Sequence, residues 1–183
     1  MPAGTPNLYF QSATELLATQ GRSGMTIAAL SRESGVSSGS FYHHFGSWDG
    51  FVARFLEHWE DEQTERIVNL SSAADDPPER FRQLVHLASK VPHATEAAIR
   101  AWAGSDPAVA MAQERVDSRR LAYLREVIGD LVADRQFATI LASLTLSAFV
   151  GLELLQRQVS ARETTKVLAA LQMLILSQQD VPG

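Results

Sequence analysis

The sequence predicts an all-α fold of nine helices, and three observations predict it. Apolar residues recur at three- and four-residue spacing along most of the chain. Runs that alternate in the manner of strands are nearly absent. Ser, Thr or Asp stands before most of the periodic runs and Gly or Pro after them, where helices start and stop.

The elements follow in order. Residues 12–20 read as a helix with Ala13, Leu16 and Leu17 on one face, ended by Gly21. Thr26 is placed to cap a short helix over 27–34, closed by Gly35. Ser37 caps a second short helix over 38–45, closed by Gly46. Ser47 opens a long helix to about residue 70, whose stripe is Trp48, Phe51, Val52, Phe55, Leu56, Trp59, Ile67 and Val68. The polar stretch 71–78 ends Asp75-Asp76-Pro77-Pro78, a boundary and a helix start. Helices over 79–91, 93–103 and 107–132 follow. The run 137–158 is apolar on nearly all sides, so it is expected to face both its own core and another surface. Ser160 and Glu163 have capping-box spacing for a last helix over 163–178.

Composition bounds the function. With 45% hydrophobic and 20% charged residues, the 183-residue chain has ordinary globular composition. It has no cysteine, which excludes disulfides, thiolate metal sites and cysteine catalysis. Net charge is −5, so any contact with nucleic acid has to be local. No basic leader precedes an apolar run, and 137–152 is interrupted by Thr139, Ser143, Thr145 and Ser147, so no membrane span and a cytoplasmic protein are expected. Asn7-Leu8-Tyr9-Phe10-Gln11-Ser12 resembles the tobacco etch virus protease site used in expression tags, with Pro6 in place of its leading Glu. Residues 1–11 are therefore read as a tag remnant or disordered arm, although Leu8, Tyr9 and Phe10 could extend the first helix.

Two short helices joined by Ser34-Gly35-Val36 have helix-turn-helix spacing. Ala29, Leu30, Val36 and Phe41 are placed to form the small core between them. Ser37, Ser38 and Ser40 sit at the start of the second helix, the end that enters a major groove. Their small hydroxyl side chains allow close approach, and the helix N-terminal N–H groups can meet phosphate.

Gly35-Val36-Ser37-Ser38-Gly39-Ser40-Phe41-Tyr42-His43-His44-Phe45 resembles the TetR family of transcriptional regulators, whose pattern after the turn is Gly-Val-(Ser/Thr)-x-Gly-(Thr/Ser)-(Leu/Phe)-Tyr-x-(His/Tyr)-Phe. The close resemblance covers about 13–56. It implies a helix-turn-helix DNA-binding domain over 12–56, the helix 47–70 as connector, and a ligand-binding and dimerisation domain over 57–183. It implies DNA contacts from Thr26, Ser37, Ser38, Gly39, Ser40, Tyr42 and His43, with His44 and Phe45 packing inward. Two departures matter. Ser38 stands where members often carry Lys or Arg, and Trp48 where they usually carry Lys. Residues 1–60 hold three basic side chains (Arg22, Arg32, Arg54) against five acidic ones (Glu15, Glu33, Asp49, Glu57, Glu60), which predicts a shallow salt dependence of DNA binding.

Aromatic side chains on converging helices make an apolar pocket, with Phe81, His86, Trp102, Phe137 and Phe149 as candidate lining for an apolar or aromatic effector. Arg115, Arg119 and Arg120 read as a solvated face, one of which could meet an anionic ligand group. Neither a catalytic motif nor metal-ligand spacing is present, so no enzyme, cofactor or metal is expected. The overall expectation is a homodimeric regulator, a repressor released by a small molecule, on a palindromic operator. Helices 137–158 and 163–178 would form the dimer interface, helped by the small Ser147, Ala148 and Gly151. The rival is a helical small-molecule-binding protein of the same fold that has lost its operator grip, motivated by the missing lysines.

Overall fold

Tyr9 and Phe10 decide how the chain begins. In a computed structural model, which describes residues 5–155 and 161–177, the first helix α1 runs Thr5–Gly24 and buries both rings. From Thr5 the segment is not a disordered arm, and Tyr9 and Phe10 extend the first helix as expected. From Thr5 onward the segment is helix, because Tyr9, Phe10, Ala13, Leu16 and Leu17 complete one apolar stripe. The expected stop at Gly21 is a kink with φ 66°, and helix resumes to Gly24.

The helices α2 (Ile27–Ser34), α3 (Ser38–Phe45) and α4 (Trp48–Glu60) follow. Each has its expected cap. The Thr26 hydroxyl accepts from Ala29 N at 3.2 Å, Ser37 from Ser40 N at 3.3 Å, and Ser47 from Gly50 N at 3.0 Å. Gly35 (φ 68°) turns the chain from α2 toward α3, in a conformation that costs a residue with a Cβ roughly 1–2 kcal/mol.

The expected single helix 47–70 is α4, then a π-helical turn (Asp61–Glu65), then α5 (Arg66–Ser72). Beyond it come α6 (Pro77–Ala88), α7 (His93–Ala103), α8 (Pro107–Gly129), α9 (Arg135–Leu154) and α10 (Ala161–Leu176). Among the described residues every element is helical, and the nine expected segments appear in order, the fourth in these pieces. The ends expected at Gln158 and Gln178, and the Ser160 cap, lie outside the described residues. The carboxylate of Asp134 accepts from Gln136 N and Phe137 N, which starts α9 two residues before the apolar run.

The chain folds as two compact units, Met1–Asp61 with Pro92–Glu114, and Glu62–Val91 with Arg115–Gly183. The boundary expected at residue 56 falls instead in the π-helical turn, and α7 joins the first unit rather than the second. Specific contacts explain this. The Thr95 hydroxyl donates to the Thr14 carbonyl at 2.9 Å, and the Trp59 indole N–H donates to the buried Glu96 carboxylate. The Arg22 guanidinium lies 4.7 Å from the Trp48 ring centre and 5.0 Å from that of Trp102.

The core of the second unit contains Ile67, Val68, Phe81, Leu84, Tyr123, Leu124, Val127, Ile128, Ala142, Phe149, Leu152, Leu168 and Ile175. Helix α9 places Ala138, Ala142, Phe149 and Leu152 in it. Its opposite side leaves Phe137, Ile140, Leu144 and Leu154 exposed, as Met173 and Leu174 are on α10. The expectation of burial on all sides therefore holds for one side within a single chain. With 20 residues and a mean hydropathy of 1.8, α9 is long and apolar enough to cross a membrane by length and composition, contrary to the shorter run read from sequence. A core helix passes the same test.

Candidate nucleic-acid interface and ligand cavity

Helix α3 is held from beneath by rings. Phe41 and Phe45 are buried against Tyr9, Phe10 and Phe51, with ring centres 5.0–5.8 Å apart in the contacting pairs. Such pairs contribute about 0.5–1.5 kcal/mol each beyond their burial. The Tyr9 hydroxyl donates to the Ser37 carbonyl at 2.8 Å, tying the start of α3 to α1.

With Phe41 and Phe45 turned inward, the opposite side of α3 meets solvent. Ser38, Gly39, Tyr42 and His43 are exposed, Tyr42 by 54%, and Ser40 is half-buried. Thr26 and Ser37 are exposed at the starts of α2 and α3, but both hydroxyls already cap their helices. Gly39 is not required by the fold. A Cβ there would meet only the Ser37 hydroxyl oxygen, at 3.8 Å. At Gly50 a Cβ would lie 2.3 Å from the Phe45 carbonyl oxygen, so that glycine is structural.

The cations near this surface have internal work. Arg54 donates to the His44 carbonyl at 3.1 Å and lies over the Phe45 ring. Arg22 donates to the Met25 carbonyl at 3.1 Å and stacks on Trp48. Trp48 is thus a packing residue at the position where the resemblance leads one to look for a phosphate-binding lysine.

The second unit holds a partly open cavity of about 70 Å³. Its wall is Ile67, Val68, Leu84, Val85, Ala88, Val91, Leu124, Leu146, Phe149 and Leu168, with Gln63, Thr64, Arg120, Tyr123 and Thr145 as the polar lining. The apolar lining is that of small-molecule sites, while the volume is smaller than theirs.

Of the five expected lining residues only Phe149 is on this wall. Phe81 is fully buried in the core. His86 borders a separate shallow depression with Leu70 and Arg82. Trp102 belongs to the first unit, where its indole N–H donates to Asp106 at 3.2 Å. Phe137 lies on the exposed side of α9. The reading of Arg119 and Arg120 as one solvated face is corrected too. Arg119 pairs with Glu65 at 2.9 Å, half in solvent, while Arg120 lines the cavity. The signal was present, since Arg120 is one turn from Tyr123 and Leu124 on α8.

Residues 10–55 match the family model described as bacterial regulatory proteins, tetR family. Over this stretch, about a quarter of its length, the chain is similar to the TetR family. The matched residues run from Phe10 in α1 to Phe55 in α4, so they take in the buried rings other than Tyr9 as well as the two short helices. A protein described as an uncharacterized HTH-type transcriptional regulator, YuxN of Bacillus subtilis (strain 168), is 26% identical over 76 residues, which is 42% of this chain. The match spans only 26% of that relative's length. Among solved structures, a transcriptional regulator from Rhodococcus sp. Rha1 superposes with a TM-score of 0.79 at 18% identity, covering 98% of this chain and 100% of that one. A TetR-family transcriptional regulator from Streptomyces coelicolor gives 0.79 at 12% identity, covering 97% and 96%. At these identities the structures establish the fold, which this chain shares over nearly its whole length.

Proposed function

We propose that the protein is a homodimeric transcriptional regulator that binds a palindromic operator through α3 and represses until a small apolar molecule fills the cavity of the second unit. The observation that carries this reading is the division of α3. Phe41 and Phe45 are buried, and Ser38, Tyr42 and His43 are presented to solvent beside Gly39, a glycine the fold does not need. Ser38 and Ser40 would meet base edges, Tyr42 and His43 phosphates, and the backbone N–H groups at the start of α3 a further phosphate.

One α3 reads few base pairs, so affinity requires two copies about 34–36 Å apart, one DNA turn. The exposed Ile140, Leu144 and Leu154 of α9 with Met173 and Leu174 of α10 are the surface on which two chains would pair. Ligand in the cavity would act through Gln63 and Thr64, which line it and follow α4 directly in the chain. Release needs the two spacings of α3 to differ in ligand affinity.

The rival reading, a ligand-binding protein of this fold without operator affinity, is favoured by one observation: Arg22 and Arg54, two of the three basic residues in 1–60, make internal contacts. Retention on mixed duplex DNA at moderate salt, measured before and after unfolding, dialysis and refolding to strip bound ligand, tests the two. Retention after stripping supports the regulator. A folded dimer that never binds supports the rival.

A further inference from the structure

Positive charge is scarce where α3 meets solvent. Residues 1–60 contain no lysine, and two of their three arginines, Arg22 and Arg54, donate to main-chain carbonyls and lie over aromatic rings. The third, Arg32, is exposed on α2. Helix α3 itself carries neither an arginine nor a carboxylate. Its side chains that can become cations are His43 and His44, both in its last turn.

The two histidines are placed differently. His44 is half-buried, its carbonyl accepts from Arg54 at 3.1 Å, and its ring centre lies 6.2 Å from that of Phe45. His43 is exposed. Four residues separate it from Gly39, so the two share a face of α3, opposite the buried Phe41 and Phe45. Its contact among the described residues is with the His44 ring, met edge-on with centres 5.3 Å apart.

The helices packed against α3 leave His43 free of a counter-charge. On α1, Tyr9 and Arg22 donate to the Ser37 and Met25 carbonyls, and Glu15 is exposed. On α2 the charged side chains are Arg32 and Glu33, both exposed. On α4, Arg54 is held by the His44 carbonyl and His58 stacks on Phe10 at 4.8 Å, while the carboxylates are Asp49, Glu57 and Glu60. Among the described residues none of these forms a hydrogen bond or ion pair with His43.

We propose that His43 is a protonation-controlled phosphate contact of α3, so that acidification strengthens DNA binding. This names a regulation of the DNA-facing surface assigned above and rests on that assignment. Histidine is the side chain that changes charge between about pH 5 and 8. A neutral imidazole gives phosphate an ordinary hydrogen bond. An imidazolium gives a charge-assisted one, about twice as strong, and displaces a counterion. A dimer presents His43 twice, so two more phosphates are neutralised at low pH. By linkage, DNA binding also takes up protons.

Anisotropy titrations on mixed-sequence duplex DNA, with ligand-stripped protein at about pH 6 and about pH 8 over a range of salt, test this. The wild type is expected to bind at least about fivefold tighter at the lower pH. Its plot of log affinity against log salt should be steeper there by about 1.8, at about 0.9 for each of two phosphates. His43→Gln should bind alike at both pH values with equal slopes, while His44→Gln should keep the response. His43→Lys should show the tight, steep behaviour at both. Because His43 is exposed, these changes at residue 43 leave the packed side of α3 intact. A wild-type affinity and slope that ignore pH overturn the proposal, as does a pH response that survives in His43→Gln. A folded, stripped dimer that binds at neither pH removes the regulator reading and the His43 role together, whereas binding that ignores pH removes the His43 role alone.

Discussion

The Tyr9 hydroxyl donates to the Ser37 carbonyl at 2.8 Å, linking the first buried ring of α1 to the residue that caps α3. Twenty-eight residues separate them in sequence. The contact makes the first helix part of the platform that holds the exposed surface of α3.

Tyr9→Phe keeps the ring and removes this bond, so unfolding should cost about 1 kcal/mol less, as one net hydrogen bond contributes. Deleting residues 1–11 removes Tyr9 and Phe10 together and should cost several kcal/mol, on the scale of about 3–5 kcal/mol for emptying one buried aromatic site. Denaturant titration of the three proteins checks both. A truncation as stable as the full chain would return the segment to the status of a dispensable arm.

Gly39 and Gly50 should behave oppositely. Gly39→Ala makes only an ordinary van der Waals contact with the Ser37 hydroxyl oxygen and should stabilise α3 by roughly 0.5–1 kcal/mol. It should nonetheless weaken operator binding at least tenfold, since the methyl group stands where DNA would approach. Gly50→Ala drives a Cβ onto the Phe45 carbonyl and should destabilise the domain whatever its effect on DNA. Thermal midpoints and operator anisotropy, measured on both variants, separate the two roles.

Much of this domain is legible in the sequence, because caps and turns are local chemistry. Thr26, Ser37, Ser47, Gly35 and Gly46 each do what their residue type allows, and no distant contact overrides them. The features that escape are those decided by what lies across the core. Nothing in Asp61–Glu65 announces a π-helical turn, whose register is held by Arg119 and Arg120 from more than fifty residues away. Aromatic residue type alone overstates the pocket. Trp102 is drawn to Arg22 and Phe81 to the core, while the cavity wall is mostly aliphatic. The tag-like spelling of 7–12 conceals a helix whose apolar stripe begins three residues before Ser12.

DNA binding should respond weakly to salt. With Arg22 and Arg54 occupied internally, the plot of log affinity against log salt should have a slope corresponding to fewer than about six phosphate contacts per dimer. A slope of that size or steeper would mean that cations outside residues 1–60 reach the DNA.

Leu144→Glu should yield a folded monomer. Leu144 is 54% exposed in the single chain, so the charge costs the protomer little, yet it would be buried between two copies of α9. Sedimentation at micromolar concentration should show the wild type as a dimer and the variant as half its mass. A dimeric variant would move the interface off this side of α9.

Selection from random duplex DNA, using ligand-stripped full-length protein, tests the central claim most directly. Enrichment of a palindrome whose half-sites lie one helical turn apart, with enrichment lost in Tyr42→Ala at unchanged thermal midpoint, is the predicted result. A folded, stripped dimer that enriches no sequence would contradict it and leave the ligand-binding rival standing.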